Sequence, residues 1–179
     1  MRIPYTNFKT RVGDDSAIGG CAFIGGKWRS VDTQSIFDSK KVVVFALPGA
    51  FTPTCSSQQL PDYEEKYEEI KSFGIDEIYC LSVNDAFVMN AWARDQKIEK
   101  VKMLPDGSGV FTQGMSMLVN KDHLGFGMRS WRYSMLVDKG EIVQVFEEPG
   151  KNNHGGDSDP FGCSDAETMI NYLKEFCAG

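Results

Sequence analysis

Blocks of hydrophobic and polar positions along the chain predict strands that alternate with helices. The run 41–47 is almost wholly apolar and rich in β-branched residues, which is typical of a central strand covered on both faces. From 54 to 73, apolar residues recur every three or four positions and predict a helix that ends at Gly74 and that Pro61 kinks or divides. Residues 75–82 are predicted as a second strand. A long helix between two strands implies that the strands are parallel.

The rest of the chain adds two predicted hairpins, two helices and a short strand. Gly25-Gly26 suits a primed turn between the arms of an N-terminal hairpin, and Asp138-Lys-Gly140 does the same near the C-terminus. Asn84 is expected to cap a helix, and the spacing of Ser164 and Glu167 predicts a capping box at the last one. The predicted ranges are 21–24 and 27–31 for the first hairpin, 85–96 for a helix, 101–104 for a strand, 132–137 and 141–146 for the second hairpin, 147–162 for a loop and 164–176 for the last helix.

This order of elements predicts the fold class. Strand, helix, strand, helix, strand, then a hairpin and a closing helix is the order of an α/β thioredoxin-like fold, here with an N-terminal β-hairpin extension and an inserted helical segment. The 179 residues show no internal repeat and suit one domain, so a single domain over 1–179 is expected. Chemistry in open α/β sheets gathers at the carboxyl ends of the strands, and Cys55 lies just beyond the first core strand.

Composition narrows the function classes. A net charge of −6 without a basic cluster argues against nucleic acid or an anionic membrane as the main partner. No apolar run approaches about 18 residues, so no membrane span is expected. The first residues lack a signal-peptide pattern, which favours a cytoplasmic location. Five widely spaced cysteines without a Cys-x-x-Cys pair, together with two histidines, predict neither a disulfide framework nor a metal site, and no cofactor is expected.

Cys55 is the candidate nucleophile. A thiol in the first turn of a helix faces unpaired backbone N–H groups and the positive end of the helix dipole, and both favour the thiolate. If the thiolate attacks a peroxide, the departing oxygen gains negative charge, and donors aimed at it should carry much of the catalysis. Thr52 and the Cys55 N–H are predicted donors, while Pro48 would shield the pocket from water. A forked arginine would complete the site, and spacing alone does not separate Arg129 from Arg132.

The spacing Pro48-x-x-x-Thr52-x-x-Cys55 resembles the active-site motif of the peroxiredoxins, thiol peroxidases with a thioredoxin-like fold. The resemblance is to the type II, or type-5, subfamily and covers about Val31 to Phe176. It implies that Cys55 is the peroxidatic cysteine, that Thr52 and Pro48 shape the pocket, and that an arginine completes it. The segments that carry the resemblance are 46–56, 80–89 and 129–135, and in the last of them the active-site arginine is Arg132.

Peroxide would convert Cys55 to a sulfenic acid, with which a thiol then condenses. Cys163, at the end of the predicted loop, resembles the resolving cysteine of animal members. Cys80 resembles the second cysteine of plant members, yet it sits in the middle of a strand, where an inert buried thiol is the simpler interpretation. Alternatively, glutathione or glutaredoxin resolves the sulfenic acid directly, as in bacterial and plant members that resemble this chain. We favour that external route, with Cys163 and thioredoxin as the runner-up.

The expected function is the reduction of hydrogen peroxide and alkyl hydroperoxides to water and alcohols. In related peroxiredoxins, positions such as Phe51 and Phe87 pack across a dimer contact, so a homodimer is expected. Thiol–disulfide exchange is an alternative enzyme class, but the absence of a Cys-x-x-Cys pair disfavours it. A redox sensor or holdase is the non-enzymatic alternative, and the sequence supplies no interaction motif for it.

Overall fold

The computed structural model describes residues 1–13, 18–19, 22–23 and 26–178, with the two short segments described by their backbone alone. Within these ranges the strands are β1 Asn7–Val12, β2 Ile18–Gly19, β3 Ala22–Phe23, β4 Lys27–Asp32, β5 Lys41–Ala46, β6 Glu77–Ser82, β7 Lys102–Pro105, β8 Leu118–Asn120, β9 Met128–Ser130, β10 Tyr133–Asp138 and β11 Glu141–Glu147. The helices are α1 Thr33–Phe37, α2 Leu60–Glu65, α3 Tyr67–Lys71, α4 Ala86–Asp95, α5 Val110–Gly114 and α6 Ala166–Ala178, with a π-helical turn over Cys55–Gln59 and a 3₁₀ turn over Asp122–Leu124.

A five-stranded mixed sheet in the spatial order β11-β10-β5-β6-β7 forms the centre of the fold. β5 is parallel to β6 and β6 is parallel to β7, whereas β10 runs antiparallel to both of its neighbours. β5 occupies the middle of the sheet, and Val42 to Ala46 are fully buried, so the predicted central strand is confirmed. The helices between β5 and β6 supply the crossover that a parallel pair requires.

The two faces of the sheet carry separate hydrophobic cores. Because side chains alternate along a strand, Val43 and Phe45 of β5 enter one core while Val42 and Val44 enter the other. The first core lies under α2, α3 and α6 and includes Cys55. The second lies under β1, α1 and α5. The mixed α/β architecture of the thioredoxin-like prediction is therefore confirmed.

The helical segment predicted over 54–73 consists of three consecutive pieces. The π-helical turn Cys55–Gln59 passes directly into α2, and Pro61 lies in the first turn of α2, where its missing N–H costs no hydrogen bond of that helix. A second break, which the sequence does not predict, falls at Lys66, whose φ of −93° and ψ of 11° separate α2 from α3. Pro61 thus marks one division, and Lys66 makes the other.

The N-terminal hairpin is present, but its pairing differs from the prediction. β4 pairs antiparallel with β1, from Asn7 opposite Asp32 to Val12 opposite Lys27, rather than with Ala22 and Phe23, the described part of the predicted partner strand. The short strands β2 and β3 pair with each other. Cys21 and Gly25 lie outside the described residues. β1 escapes prediction because its sequence, Asn-Phe-Lys-Thr-Arg-Val, is mostly polar and buries mainly Phe8.

Two predicted helix caps are each wrong by one residue. Asp85, rather than Asn84, caps α4 and accepts a backbone N–H three residues on at 3.0 Å. Asp165, rather than Ser164, accepts the equivalent N–H at the start of α6 at 3.4 Å. Asn84 instead accepts the Ala50 N–H at 3.0 Å, which ties the loop after β5 to the loop after β6.

The remaining differences concern short elements. α1, α5 and the β8–β9 pair are not predicted from the sequence; each of the two helices has five residues and each of the two strands has three. The hairpin of β10 and β11 and the loop that follows it are confirmed. None of the helices in the described part of the chain is long and apolar enough to cross a membrane.

Candidate active site

Cys55 lies in the first turn of the helical segment that follows β5. The segment begins at Pro53, and the Ser56 N–H donates to the Thr52 carbonyl at 3.0 Å, which closes the first turn. Cys55 is therefore the third helical residue and lies at the positive end of the dipole. Its side chain is 0% exposed, so the sulfur is held in a site closed to bulk water.

Arg132 contacts the Cys55 sulfur. Its Nη1 donates to Sγ at 3.4 Å, and the side chain is only 2% exposed. Arg132 directly precedes β10, whose Tyr133 pairs with Ala46 of β5, so the sheet sets the distance between the guanidinium and the loop that carries the thiol. Burial lowers the pKa of Arg132, but the Cys55 sulfur and the Asp159 carboxylate outweigh burial and raise it, which keeps the guanidinium charged.

Arg129, which spacing alone leaves as an equal candidate, supports the loop instead. Its Nη1 donates to the Pro48 carbonyl at 3.3 Å and its Nε to the Phe126 carbonyl at 3.0 Å. A Cβ added at Gly49 would lie 2.7 Å from Nη1, so the guanidinium packs directly on the loop backbone. Burial lowers the pKa of Arg129, although the Cys55 sulfur opposes that shift.

The loop between β5 and Cys55 folds back on itself. The Thr52 hydroxyl donates to the Gly49 carbonyl at 2.7 Å. Its proton is therefore engaged inside the loop. The lone pairs of Oγ1 remain to accept a peroxide O–H. Pro48 is buried, as expected for a residue that excludes water.

Gln59 is a site residue that the sequence analysis does not single out. It ends the π-helical turn, is fully buried, and accepts from Nη1 of Arg132 at 2.5 Å. The same nitrogen therefore contacts both the amide and the Cys55 sulfur. Among the described residues, neither Nε2 of Gln59 nor Nε of Arg132 has a hydrogen-bond partner, so the site holds two buried, uncommitted donors. A polar side chain four residues after Cys55, beside apolar Leu60, is the signal that could have found it.

The loop after β11 covers the outer side of the guanidinium. Nη2 of Arg132 forms an ion pair with Asp159 at 2.6 Å, and the Phe161 ring centroid lies 5.7 Å from Cζ. Both contacts come from the segment predicted as a loop over 147–162. The sequence offers no sign that this loop reaches the site, because the contact joins residues 27 positions apart.

The two candidate resolving cysteines lie in different surroundings. Cys163 is partly exposed, its N–H donates to the Glu148 carboxylate at 2.9 Å, and its thiol donates to the Glu147 carbonyl at 3.3 Å. Burial and the Glu148 carboxylate raise the pKa of Cys163 to about 11. Cys80 is fully buried in β6, and burial raises its pKa well above the ordinary value. Both thiols are therefore protonated near neutral pH, which makes them weak nucleophiles.

The two candidate dimer residues also differ. Phe51 has a φ of 64°, in the left-handed region, and its side chain is 52% exposed. Phe87 is partly buried and packs edge-on against Trp28 of the same chain, with 5.4 Å between ring centroids. Only Phe51, of these two, therefore presents a largely open apolar surface next to the Cys55 loop.

A buried thiol at a helix N-terminus, held by an arginine at the edge of a mixed α/β sheet, defines a thiol-dependent redox protein of the thioredoxin-like class. The Redoxin family profile matches residues 22–160. Over 97% of its length, the chain is 55% identical to Peroxiredoxin sll1621 of Synechocystis, of which it covers 89%. It is 50% identical to Peroxiredoxin y4vD of Sinorhizobium fredii, covering 98% of this chain and 91% of that protein.

Solved structures agree with these sequence relatives. The Plasmodium falciparum antioxidant protein, described as a 1-Cys peroxiredoxin, matches with a TM-score of 0.88 and 35% identity over 98% of both chains. Reduced Prx3 from Vibrio vulnificus, solved in complex with H2O2, matches with a TM-score of 0.80 and 34% identity over 97% of this chain and 96% of that one. The chain belongs to the peroxiredoxin family and is a thiol peroxidase.

Proposed function

We propose that Cys55 is the peroxidatic cysteine for hydrogen peroxide and alkyl hydroperoxides and that glutathione, directly or through glutaredoxin, recycles it. The observation that supports the catalytic assignment is the 3.4 Å contact between Nη1 of Arg132 and the sulfur of a fully buried cysteine. An arginine in this place sets a positive charge against the sulfur and offers further N–H donors to an incoming peroxide.

In the proposed peroxide reduction, Cys55, Arg132 and Thr52 each have a separate role. The Cys55 thiolate attacks one peroxide oxygen, so an S–O bond forms while the O–O bond breaks. The departing oxygen gains negative charge, which Arg132 stabilises, and it leaves as water or an alcohol after taking a proton from solvent, which equals the proton that the Cys55 thiol gave up on ionising. Oγ1 of Thr52, whose own proton is committed to Gly49, accepts the O–H of the attacked oxygen and orients the peroxide. The sulfur is oxidised to a sulfenic acid, and the peroxide is reduced by two electrons.

An external thiol is the reductant that the environment of Cys163 favours. The Cys163 thiol has a pKa of about 11, so it does not ionise readily at neutral pH. The Cys163 N–H donates to the Glu148 carboxylate, so the backbone of Cys163 is anchored. A glutathione thiol would condense with the sulfenic acid to form a mixed disulfide and water, and a second thiol would then release reduced Cys55. The structural relative from Plasmodium falciparum is described as a 1-Cys peroxiredoxin, in keeping with a route that needs no internal partner.

The surroundings of Cys55 and Arg132 suit both proposed kinds of peroxide substrate. The complex of the Vibrio vulnificus relative with H2O2 supports hydrogen peroxide as one substrate. The exposed Phe51 ring and the Phe161 ring beside Arg132 offer apolar surface that suits the alkyl group of an organic hydroperoxide.

We also propose a cytoplasmic homodimer that covers Phe51. Sedimentation of the parent as a monomer at micromolar concentration, with no change in Phe51→Glu, would reject that assembly.

Steady-state peroxidase assays test the reductant directly. Parent, Cys55→Ser and Cys163→Ser proteins are assayed with glutathione alone, with glutaredoxin plus glutathione, and with thioredoxin and its reductase. We expect turnover with a glutathione system, no turnover in Cys55→Ser, and unchanged turnover in Cys163→Ser. Turnover that needs thioredoxin and disappears in Cys163→Ser would establish the internal resolving route instead.

A further inference from the structure

A buried ion pair lies outside the residues of the catalytic site. Lys121, directly after β8, places its ammonium 2.9 Å from a carboxylate oxygen of Asp157, and the two side chains are only 3% and 6% exposed. The ammonium also lies 4.9 Å from the centroid of the Trp131 ring. Burying two charges costs desolvation that the pair's attraction often does not recover, so stability alone is a weak reason for this arrangement.

Asp157 connects this pair to the active site. Its Oδ1 accepts the Lys121 ammonium at 3.1 Å and also the Asp159 N–H at 2.9 Å. Asp159 adopts a φ of 53°, a conformation that non-glycine residues seldom take without support from their surroundings. With its backbone held in this way, Asp159 directs its carboxylate to Nη2 of Arg132 at 2.6 Å. The chain of contacts is continuous from Lys121 to the Cys55 sulfur.

The other end of the same loop segment is also fixed. The buried Glu148 carboxylate accepts the N–H groups of Gly162, Cys163 and Ser164 at 2.7 to 2.9 Å. The Glu148 N–H donates to the Arg132 carbonyl at 3.1 Å. Between this anchor and Asp157, the segment 158–161 crosses the guanidinium, so its path over Arg132 depends on both carboxylates.

We propose that Asp157 is a positioning residue for peroxide reduction. Clamped by Lys121, it fixes the backbone of Asp159, and Asp159 in turn fixes the orientation of the Arg132 guanidinium against the sulfur. This inference rests on the proposed role of Arg132 at Cys55. Nη1 of the guanidinium contacts both Gln59 and the Cys55 sulfur. The contact between Asp159 and Nη2 therefore holds the other end of the guanidinium plane and prevents that plane from rotating. A rotated fork would still carry its charge but would misdirect the donors meant for the peroxide oxygens.

Stopped-flow oxidation by hydrogen peroxide tests this role. We expect Asp157→Ala, which removes the acceptor of the Asp159 N–H, to lower the second-order rate constant by roughly tenfold to a hundredfold, the effect of a small misplacement of a catalytic group. Alkylation of Cys55 by iodoacetamide, which needs the thiolate but no oxygen-binding donors, should fall by a much smaller factor. Glu64→Ala, which removes the acceptor of three backbone N–H groups away from Arg132, is the matched control and should keep the parent rate.

A double-mutant cycle on the peroxide rate constant shows whether Asp157 acts through Asp159. In the Asp159→Ala background, Asp157→Ala should lower the peroxide rate no further, because the contact between residue 159 and Arg132 is already lost. Losses that multiply would overturn the proposal, as would a parent rate in folded Asp157→Ala. If Asp157→Ala does not fold, Lys121→Met with Asp157→Leu removes both charges, a replacement that buried ion pairs often tolerate, and the same outcomes apply. Arg132→Lys, measured in parallel, reports on the proposed function itself, so the two failures are distinguishable.

Discussion

At the scale of single residues, the site depends on one nitrogen with two acceptors. Nη1 of Arg132 lies 3.4 Å from the Cys55 sulfur and 2.5 Å from Oε1 of Gln59, while Nη2 is held by Asp159. The guanidinium places its positive charge against the sulfur, and its planar fork fixes the directions of the donors.

Arg132→Lys should slow peroxide reduction strongly, because a point charge loses the forked geometry. Loss of a donor aimed at a developing oxyanion costs roughly 100- to 1000-fold in rate. Stopped-flow mixing of the reduced protein with hydrogen peroxide measures the rate constant. Arg129→Lys is the matched control, since Arg129 contacts the loop carbonyls of Pro48 and Phe126 rather than the sulfur, and it should lose less. Equal losses in both variants would contradict the assignment.

Gln59→Leu should weaken both activity and stability, because it leaves a buried arginine nitrogen with only the sulfur as acceptor. An unsatisfied buried polar group costs about 1–3 kcal/mol, so the free energy of unfolding should fall by about that amount. The peroxide rate constant should fall as well. Urea denaturation and stopped-flow oxidation measure the two effects. Gln58→Leu, at the exposed neighbouring position, should match the parent in both, and a parent-like Gln59→Leu would remove Gln59 from the site.

Disulfide formation between Cys55 and Cys163 should depend steeply on pH. With a pKa of about 11, the Cys163 thiolate is scarce at pH 7. Its population then rises roughly tenfold for each pH unit below that value. Mass spectrometry after one equivalent of peroxide, without glutathione, should show little intramolecular disulfide at pH 7 and progressively more toward pH 10. Cys163→Ser should show none. Complete disulfide at pH 7 would favour the internal route.

At the scale of elements, the loop after β11 is a structured part of the site. Glu148 collects the N–H groups of residues 162–164, and Asp157 is held by Lys121, so both ends of the covering segment are anchored by buried carboxylates. Burial alone would raise the pKa of Glu148, but the hydrogen bonds from Gly162, Ser164 and Cys163 outweigh burial and lower it. The anionic form of Glu148 is therefore bound more tightly in the folded state than in the unfolded chain.

Glu148→Gln should lower stability in a pH-dependent way. Because the pKa of Glu148 in the folded state lies below its ordinary value near 4.5, its contribution is complete above that pH and is lost as the pH falls through the folded-state pKa. The variant should unfold at lower urea concentration than the parent at pH 7, and the gap should narrow below about pH 4. Glu147→Gln, which loses only a surface pair with Lys151, is the matched control. A gap that does not change with pH would contradict this account.

Local patterns explain which parts of the fold could be predicted. β5 is buried on both faces, so its apolar run predicts a strand from local sequence alone. Gly140, with a positive φ, likewise predicts the β10–β11 turn from local sequence. β1 could not be predicted, because its strand is largely polar and is specified by pairing with β4.

The same contrast holds within the site. Cys55 follows from its place after a strand, and Pro48 and Thr52 from the motif spacing. The Asp157 and Asp159 contacts do not follow, since they join residues 27 to 36 positions apart across a loop. Gln59 lies between these cases, because its spacing from Cys55 is visible in the sequence but its partner is not.

At the scale of the whole molecule, the central sheet brings two distant segments to one point. The loop that carries Cys55 follows β5, and Arg132 directly precedes β10, the antiparallel neighbour of β5. The helices between β5 and β6 bury Cys55 in one of the two cores. The peroxiredoxin relatives share this architecture over nearly the full chain. The distance between the guanidinium and the sulfur is therefore set by strand pairing in the sheet rather than by the loops alone.

The rates of hydrogen peroxide reduction by single-cysteine variants show whether Cys55 is the thiol that reacts with peroxide. Reduced Cys55→Ser, Cys80→Ser, Cys163→Ser and Cys177→Ser proteins are each mixed with hydrogen peroxide in a stopped-flow instrument, with an excess of reductant present. We expect Cys55→Ser to lose peroxide reduction entirely while the other three keep the parent rate constant. A Cys55→Ser protein that still reduces hydrogen peroxide at the parent rate would contradict this expectation.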